Sequence, residues 1–312
     1  MAEKTRVGVV GVGYLGSSHA KIYAQMPEVE LVGVVDTDAR RVQEVAQSYA
    51  CRAFSAAGDL LGQVDAVSIV VPTVYHLSTA APFLEHGVHI MMEKPLAPDY
   101  PESLALVEMA EKSAVVFQVG HLERFNAGVM ALASRVKNPR FIEAHRLSPF
   151  VDRATDVDVV TDLMIHDIDI ILSLAGSTLV HIAASGTPVI TDKIDIANAR
   201  LAFANGAVAN VTASRVSNKR HRYMRIFEQQ HYYKLNYIDQ QIEVATASPP
   251  AGGQQWPTIS TEQMVIEPRQ PLNEELGAFI HSVRTQAPPL VTGRIGLEAV
   301  RVAHTVKETI QS

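Results

Sequence analysis

Over the first 120 residues, short blocks of consecutive apolar residues alternate with stretches in which apolar positions recur every three or four residues. The blocks within Arg6–Val10, Val29–Val35, Arg52–Phe54, Ala66–Val71, His89–Met92 and Val115–Val119 predict strands that are buried on both faces. The stretches between them predict helices over Tyr14–Gln25, Asp38–Tyr49, a segment opened by Pro72–His76 and ending near His86, and Tyr100–Lys112. Repeated strand–helix units of this kind predict an α/β domain built on a doubly wound parallel sheet, closing near residue 120.

Beyond that point the pattern changes. Helices are predicted over Asn126–Lys137 and Thr161–Leu174, the second ended by Gly176. From Thr178 to Ile266 strands follow one another, and Asn205-Gly206 between two apolar alternations predicts a two-residue hairpin. Pro249–Gly253 reads as a loop. The helices Leu272–Thr285 and Ile295–Gln311 close the chain, parted by Pro288-Pro289. Strands without intervening helices predict an α+β domain with a large, mostly antiparallel open sheet. The division expected is 1–120 and 121–312, with the closing helices packed back on the first part.

The turn after the first strand, Gly11-Val12-Gly13-Tyr14-Leu15-Gly16, carries the spacing of a dinucleotide site. One glycine permits the turn, the next lets backbone approach a pyrophosphate, and the third lets helix pack on strand. The phosphates would then lie on the N–H groups at the helix start. Asp36, at the end of the second strand, suits the ribose hydroxyls of NAD and repels the extra phosphate of NADP. Arg40 and Arg41 are the counter-argument, since either can meet that phosphate, but exposed arginines inside a helix need no special reason. Pro95 and Pro98 end the strand His89–Met92. Glu93 and Lys94 therefore sit at its carboxyl end, where open α/β sheets hold their ligands.

Composition narrows the class. With 312 residues, 47% hydrophobic and 19% charged, the chain is an ordinary globular protein large enough for two domains. A net charge of -6 argues against nucleic acid or an anionic membrane surface as partner. The single cysteine, Cys51, excludes an intrachain disulfide. Together with the lack of a signal-peptide core or a spanning apolar run, this predicts a cytoplasmic protein.

In the second half, Asp162 and His166 lie four residues apart, on one helical face. Histidine titrates near neutral pH and can exchange a proton, while an acid one turn away can orient it. On spacing alone a solvated acid beside a capping histidine is the better account, because such pairs are frequent. Asp167 and Asp169 adjoin them, yet no second histidine stands at ligand spacing, so no metal is expected.

Four motifs in this order, the glycine turn, Pro72-Thr73-x-x-His76, Glu93-Lys94-Pro95 and Asp162-x-x-x-His166, resemble the Gfo/Idh/MocA oxidoreductases over essentially the whole chain. The resemblance implies a Rossmann domain, a substrate domain, and pyridine-nucleotide oxidation of a sugar or polyol hydroxyl. It implies Lys94, Asp162 and His166 as catalytic residues, with Lys94 and His166 able to exchange the roles of base and alkoxide stabiliser. It implies cofactor contacts at Pro72, Thr73 and His76, with Glu93 either orienting Lys94 or capping a loop, and a cis peptide before Pro95. Arg124 and Asn126 become candidates for contact with nicotinamide or substrate. An arginine paired with Glu123 and an N-cap asparagine are the structural alternatives.

Arg215, Lys219, Arg220, Arg222 and Arg225 crowd eleven residues that hold no acid. Such a run suits phosphate oxygens, or equally blocks a strand edge or meets another subunit. Residues 120–126, the segment from Asp156 to His166 and the hairpin after it are similar to the branch of the family that oxidises the 3-hydroxyl of UDP-N-acetylglucosamine. In that branch the 3-keto sugar is then aminated for cell-envelope glycolipid synthesis. A free sugar or inositol is the alternative substrate, and a non-catalytic NAD(H) sensor the alternative of another class. Family resemblance also implies a homo-oligomer, since an open sheet leaves one face to cover.

Overall fold

The computed structural model describes residues 3–151, 157–250 and 255–311. Strands β1 (Thr5–Val10), β2 (Val29–Val35), β3 (Arg52–Phe54), β4 (Ala66–Ile69), β5 (His89–Glu93) and β6 (Phe117–Gly120) form one parallel sheet in the order β3-β2-β1-β4-β5-β6. Helices α1 (Tyr14–Gln25), α2 (Ala39–Ser48), α3 (His76–Glu85) and α4 (Tyr100–Ser113) connect the strands. The central strands are buried on both faces, as their unbroken apolar blocks require. The strand order reverses between β1 and β4, which places the crevice for a ligand at the carboxyl ends of these two strands.

The second sheet has eight strands in the order β14-β13-β12-β11-β7-β10-β9-β8. Helix α5 (Ala127–Arg135) leads into β7 (Phe141–Leu147), and a single π-helical turn (Val160–Met164) opens α6 (Ile165–Ala175). Strands β8 (Leu179–Thr187), β9 (Ile196–Phe203), β10 (Val208–Ser214), β11 (His221–Phe227), β12 (His231–Asn236), β13 (Gln241–Ser248) and β14 (Thr258–Met264) follow. All pairs are antiparallel except β7 with β10. On one face Ile142, Ala144, Leu201, Val211, Met224 and Ile226 are wholly buried. The other face carries Phe141, Phe227 and Tyr232 in ring contact, and His145 stacked on Tyr223 at 4.8 Å, all only half-buried.

Three local features differ from the pattern-based expectation. β7 was not predicted. Its inward positions are Ile142, Ala144 and Arg146, and the buried arginine hides the alternation. The hairpin between β9 and β10 has a three-residue loop, because Phe203 pairs with Ala207 and only Gly206 takes positive φ (82°). A two-residue type I′ turn would need positive φ at two positions. Finally, the helix expected from Thr161 begins with the π turn, a widening that side-chain periodicity does not report. Of the loop expected at Pro249–Gly253, residues 251–253 lie outside the described residues.

The chain divides into two compact units, one containing residues up to Leu122 with Leu272–Val300, the other Glu123–Pro271 with the residues from Arg301 on. Helix α7 (Pro271–Thr285) puts Leu276, Phe279, Ile280 and Val283 into the core of the first unit beside Val7, Val34 and Tyr23. Each such side chain contributes roughly 2 kcal/mol of burial before entropy is counted. Helix α8 (Gly293–Gln311) starts in the first unit, where Gly296 lies so close to Val119 that a Cβ would come within 2.9 Å of its side chain.

Candidate active site

In the first unit, the glycine turn has the geometry its spacing demands. Gly11 sits at φ 88°, and a Cβ there would stand 2.5 Å from the Val70 carbonyl oxygen. A Cβ on Gly16 would fall 1.8 Å from the Gly11 carbonyl oxygen, so α1 can start only where it does. Gly13 is different. Nothing lies within 4 Å of the place a Cβ would occupy, so this side of the turn is open to a bulky group. Gly13 also caps α1 without a side-chain acceptor, and the first turn of α1 holds no acid. The N–H groups of Tyr14 and Leu15 at this helix start thus suit an anion. Tyr14 itself is 90% exposed.

Asp36 receives the Val12 N–H at 2.7 Å and the Asp38 N–H at 3.1 Å, which ties the end of β2 to the glycine turn. Arg41 is exposed and lies 3.6 Å from Asp38 within its own helix, and Arg40 pairs with Glu44 at 2.8 Å. Both arginines thus have partners in or beside α2. Pro72 and Thr73 follow β4 at the carboxyl edge. His76 is turned inward. It is buried, with Nε2 3.0 Å from the Val71 carbonyl and Nδ1 3.2 Å from that of Leu96. Burial lowers its pKa despite these carbonyls. His76 therefore clasps the loops after β4 and β5. Glu93 and the half-buried Lys94 end β5, and the Lys94–Pro95 peptide is cis.

In the second unit, Asp162 lies in the π turn and His166 one turn on in α6, both half-buried. The turn is anchored from outside. Buried Asp158 accepts the Thr161 N–H at 2.9 Å and faces Lys307 Nζ at 2.8 Å. Burial raises its pKa, but Lys307 and Thr161 outweigh that and hold it low. The acids next to His166 are anchors too. Asp167 takes Arg146 Nε at 2.8 Å, and Arg146 also meets Glu123 at 2.8 Å. Among the described residues no cluster of His, Cys, Asp and Glu could hold a metal.

Three residues expected at the substrate have partners within the scaffold. Arg124 forks onto Asp169, with contacts of 2.5 and 2.9 Å, and is nearly buried. Its partner is thus Asp169, not the neighbouring Glu123. Asn126 is buried; its oxygen accepts the Gly128 N–H at 3.0 Å and its amide donates to the Tyr237 carbonyl at 3.1 Å, so it caps α5. Arg215 is buried against Asp195 and donates to the Val157 carbonyl. Lys219 and Arg220 are exposed in the β10–β11 loop. Arg225 pairs with Glu143. The segment near Asp156 that helped suggest a nucleotide sugar lies partly outside the described residues.

Comparison with known proteins agrees with this geometry. Residues 5–121 match the model described as oxidoreductase family, NAD-binding Rossmann fold, and residues 129–234 match the GFO/IDH/MocA C-terminal domain. The chain belongs to the GFO/IDH/MocA oxidoreductase family. As in other members, its first unit is an NAD-binding Rossmann domain. It is 37% identical to UDP-N-acetylglucosamine 3-dehydrogenase of Acidithiobacillus ferrooxidans, over 98% of this chain and 97% of that one. The solved structure of that enzyme superposes with a TM-score of 0.92 at 36% identity, covering 99% of each chain. The structure of scyllo-inositol dehydrogenase from Lactobacillus casei with bound NAD(H) and scyllo-inositol shares the fold at a TM-score of 0.82 and 19% identity, over 99% of this chain and 97% of that one.

Proposed function

We propose that this oxidoreductase converts the 3-hydroxyl of UDP-N-acetylglucosamine to the 3-keto sugar with NAD, as a cytoplasmic homo-oligomer. The observation that carries the substrate is the end-to-end similarity to the Acidithiobacillus ferrooxidans enzyme of that name. Gly11, Gly13, Gly16 and the first N–H groups of α1 would hold the pyrophosphate, and Asp36 the ribose hydroxyls. When bound, the nicotinamide supplies the hydride acceptor.

The chain's own residues supply the rest. The Lys94 ammonium hydrogen-bonds the reacting hydroxyl and stabilises the developing alkoxide. His166 accepts the proton, and Asp162, one turn away, orients it. Lys219 and Arg220 are the members of the basic segment suited to the nucleotide phosphates, Arg215 being committed to the fold.

The test incubates the protein with NAD and UDP-N-acetylglucosamine, adds a 3-aminotransferase to draw off product, and looks for loss of two hydrogens by mass. Lys94→Ala and His166→Ala should each slow hydride transfer by about 10²–10⁴-fold with NAD affinity nearly unchanged. A panel of inositol and free hexoses runs alongside. Turnover there without any product from the nucleotide sugar would discard this substrate.

A further inference from the structure

Behind Glu93 the first unit buries a set of polar groups that the proposed chemistry leaves unused. His19, on α1, is wholly buried. Its Nδ1 lies 3.2 Å from Ser68 Oγ on β4, and that hydroxyl is 2.8 Å from the hydroxyl of buried Tyr23. Its Nε2 has no hydrogen-bond partner among the described residues and lies 3.4 Å from Glu93 Oε1. That approach is an ion-pair contact rather than a well-formed hydrogen bond. A buried ring nitrogen without a hydrogen bond is costly unless it interacts with the carboxylate beside it.

Glu93 is itself held in place. Its side chain is 12% exposed, and Oε2 receives the Lys94 N–H at 3.3 Å. The carboxylate rests on Gly120, where a Cβ would come within 3.0 Å of it. On α7, Glu275 is fully buried, and neither of its side-chain oxygens has a hydrogen-bond partner among the described residues. Burial, and then the charge of Glu93, push its carboxyl well above the usual range. Gln118 on β6 donates to the Glu275 carbonyl at 3.0 Å, and the charge of Glu93 also reaches His76. His19 Nε2, 3.4 Å from Oε1, thus stands within ion-pair distance of the Glu93 carboxylate.

We propose that His19 is a positioning residue for the reaction: through the Glu93 carboxylate it fixes the backbone from which Lys94 extends. This rests on the reading of Lys94 as a catalytic residue. Small displacements of a reacting group are expensive, about 10²-fold for 1 Å, so the contribution falls on kcat rather than on NAD binding.

The two ring nitrogens permit a discriminating test. In His19→Gln the amide nitrogen takes the place of Nε2 and faces Glu93; in His19→Asn it takes that of Nδ1 and faces Ser68. His19→Ala should lower kcat by about tenfold or more, with NAD affinity within about threefold of wild type. Gln should restore most of the loss and Asn little of it. In a Glu93→Gln background, His19→Ala should cost less than about a further twofold, since the histidine acts through that carboxylate. Turnover is followed with UDP-N-acetylglucosamine, or with the sugar the panel yields, and folding by thermal unfolding.

Rescue by Asn as good as by Gln, or additive losses with Glu93→Gln, would overturn the proposal. If His19→Ala does not fold, the Gln–Asn comparison still decides. Lys94→Ala is measured in parallel. Near-normal turnover there removes the reading of Lys94, whereas a dead Lys94→Ala beside an unaffected His19→Ala removes only the role of His19.

Discussion

Asp36 acts on two levels at once. It closes the glycine turn through the Val12 N–H and remains half-exposed at the end of β2. Asp36→Ala is therefore expected to cut kcat/KM with NAD at least about tenfold and to move preference towards NADP. A wild-type enzyme that already prefers NADP would contradict the role given to this carboxylate. The glycines and Asp36 were legible in the sequence because their constraints are local: each is set by residues within one strand–turn–helix. Arg124, Asn126 and Arg215 were not. An arginine's sequence neighbours do not reveal that its carboxylate lies 45 residues on, as Asp169 does for Arg124. Removing such a nearly buried partner strands the other charge, typically at about 3–5 kcal/mol, so these ion pairs also hold the fold.

At the level of elements, apolar blocks identified every strand of the first sheet, with β4 ending two residues earlier and β6 starting two residues later than expected. The second sheet was harder to read, since its central strand β7 turns a charged residue inward. The loop between β8 and β9 shows how a carboxylate can organise a connection. Wholly buried Asp195 accepts the N–H groups of Val189, Ile190 and Thr191 at 2.7–2.8 Å and the Thr191 hydroxyl at 2.8 Å. Burial raises its pKa, but these donors together bring it down to about 2. A depressed carboxylate stabilises the fold above its unfolded pKa near 4, and that stability is lost as pH falls towards 2. The amount is on the order of 2 kcal/mol. Urea unfolding of wild type and Asp195→Asn from pH 7 to pH 3 should show a gap that narrows below pH 4. A gap constant with pH would exclude this ionisation.

For the whole molecule, the open face of the second sheet carries the Phe141–Phe227–Tyr232 cluster and the Tyr223–His145 stack with little cover. A second copy of the chain is the cover proposed, so light scattering at micromolar concentration should give a multiple of 34.0 kDa. A monomer would refute it. The interleaved division of the chain carries a consequence of another kind. The nucleotide-binding unit lacks α7 until residue 285 has been made, and the other unit takes in residues beyond Arg301. Domains commonly form one after another as a polypeptide leaves the ribosome. Here the first unit is complete only once residue 300 has been made, and the second only later still. Nascent chains stalled at residue 200 should stay open to protease along their whole length, and a resistant fragment ending near Leu122 would show that the first unit forms without α7. Until α7 arrives, the surface that Leu276, Phe279 and Ile280 will cover faces water, and it is there that a chaperone has most to shield.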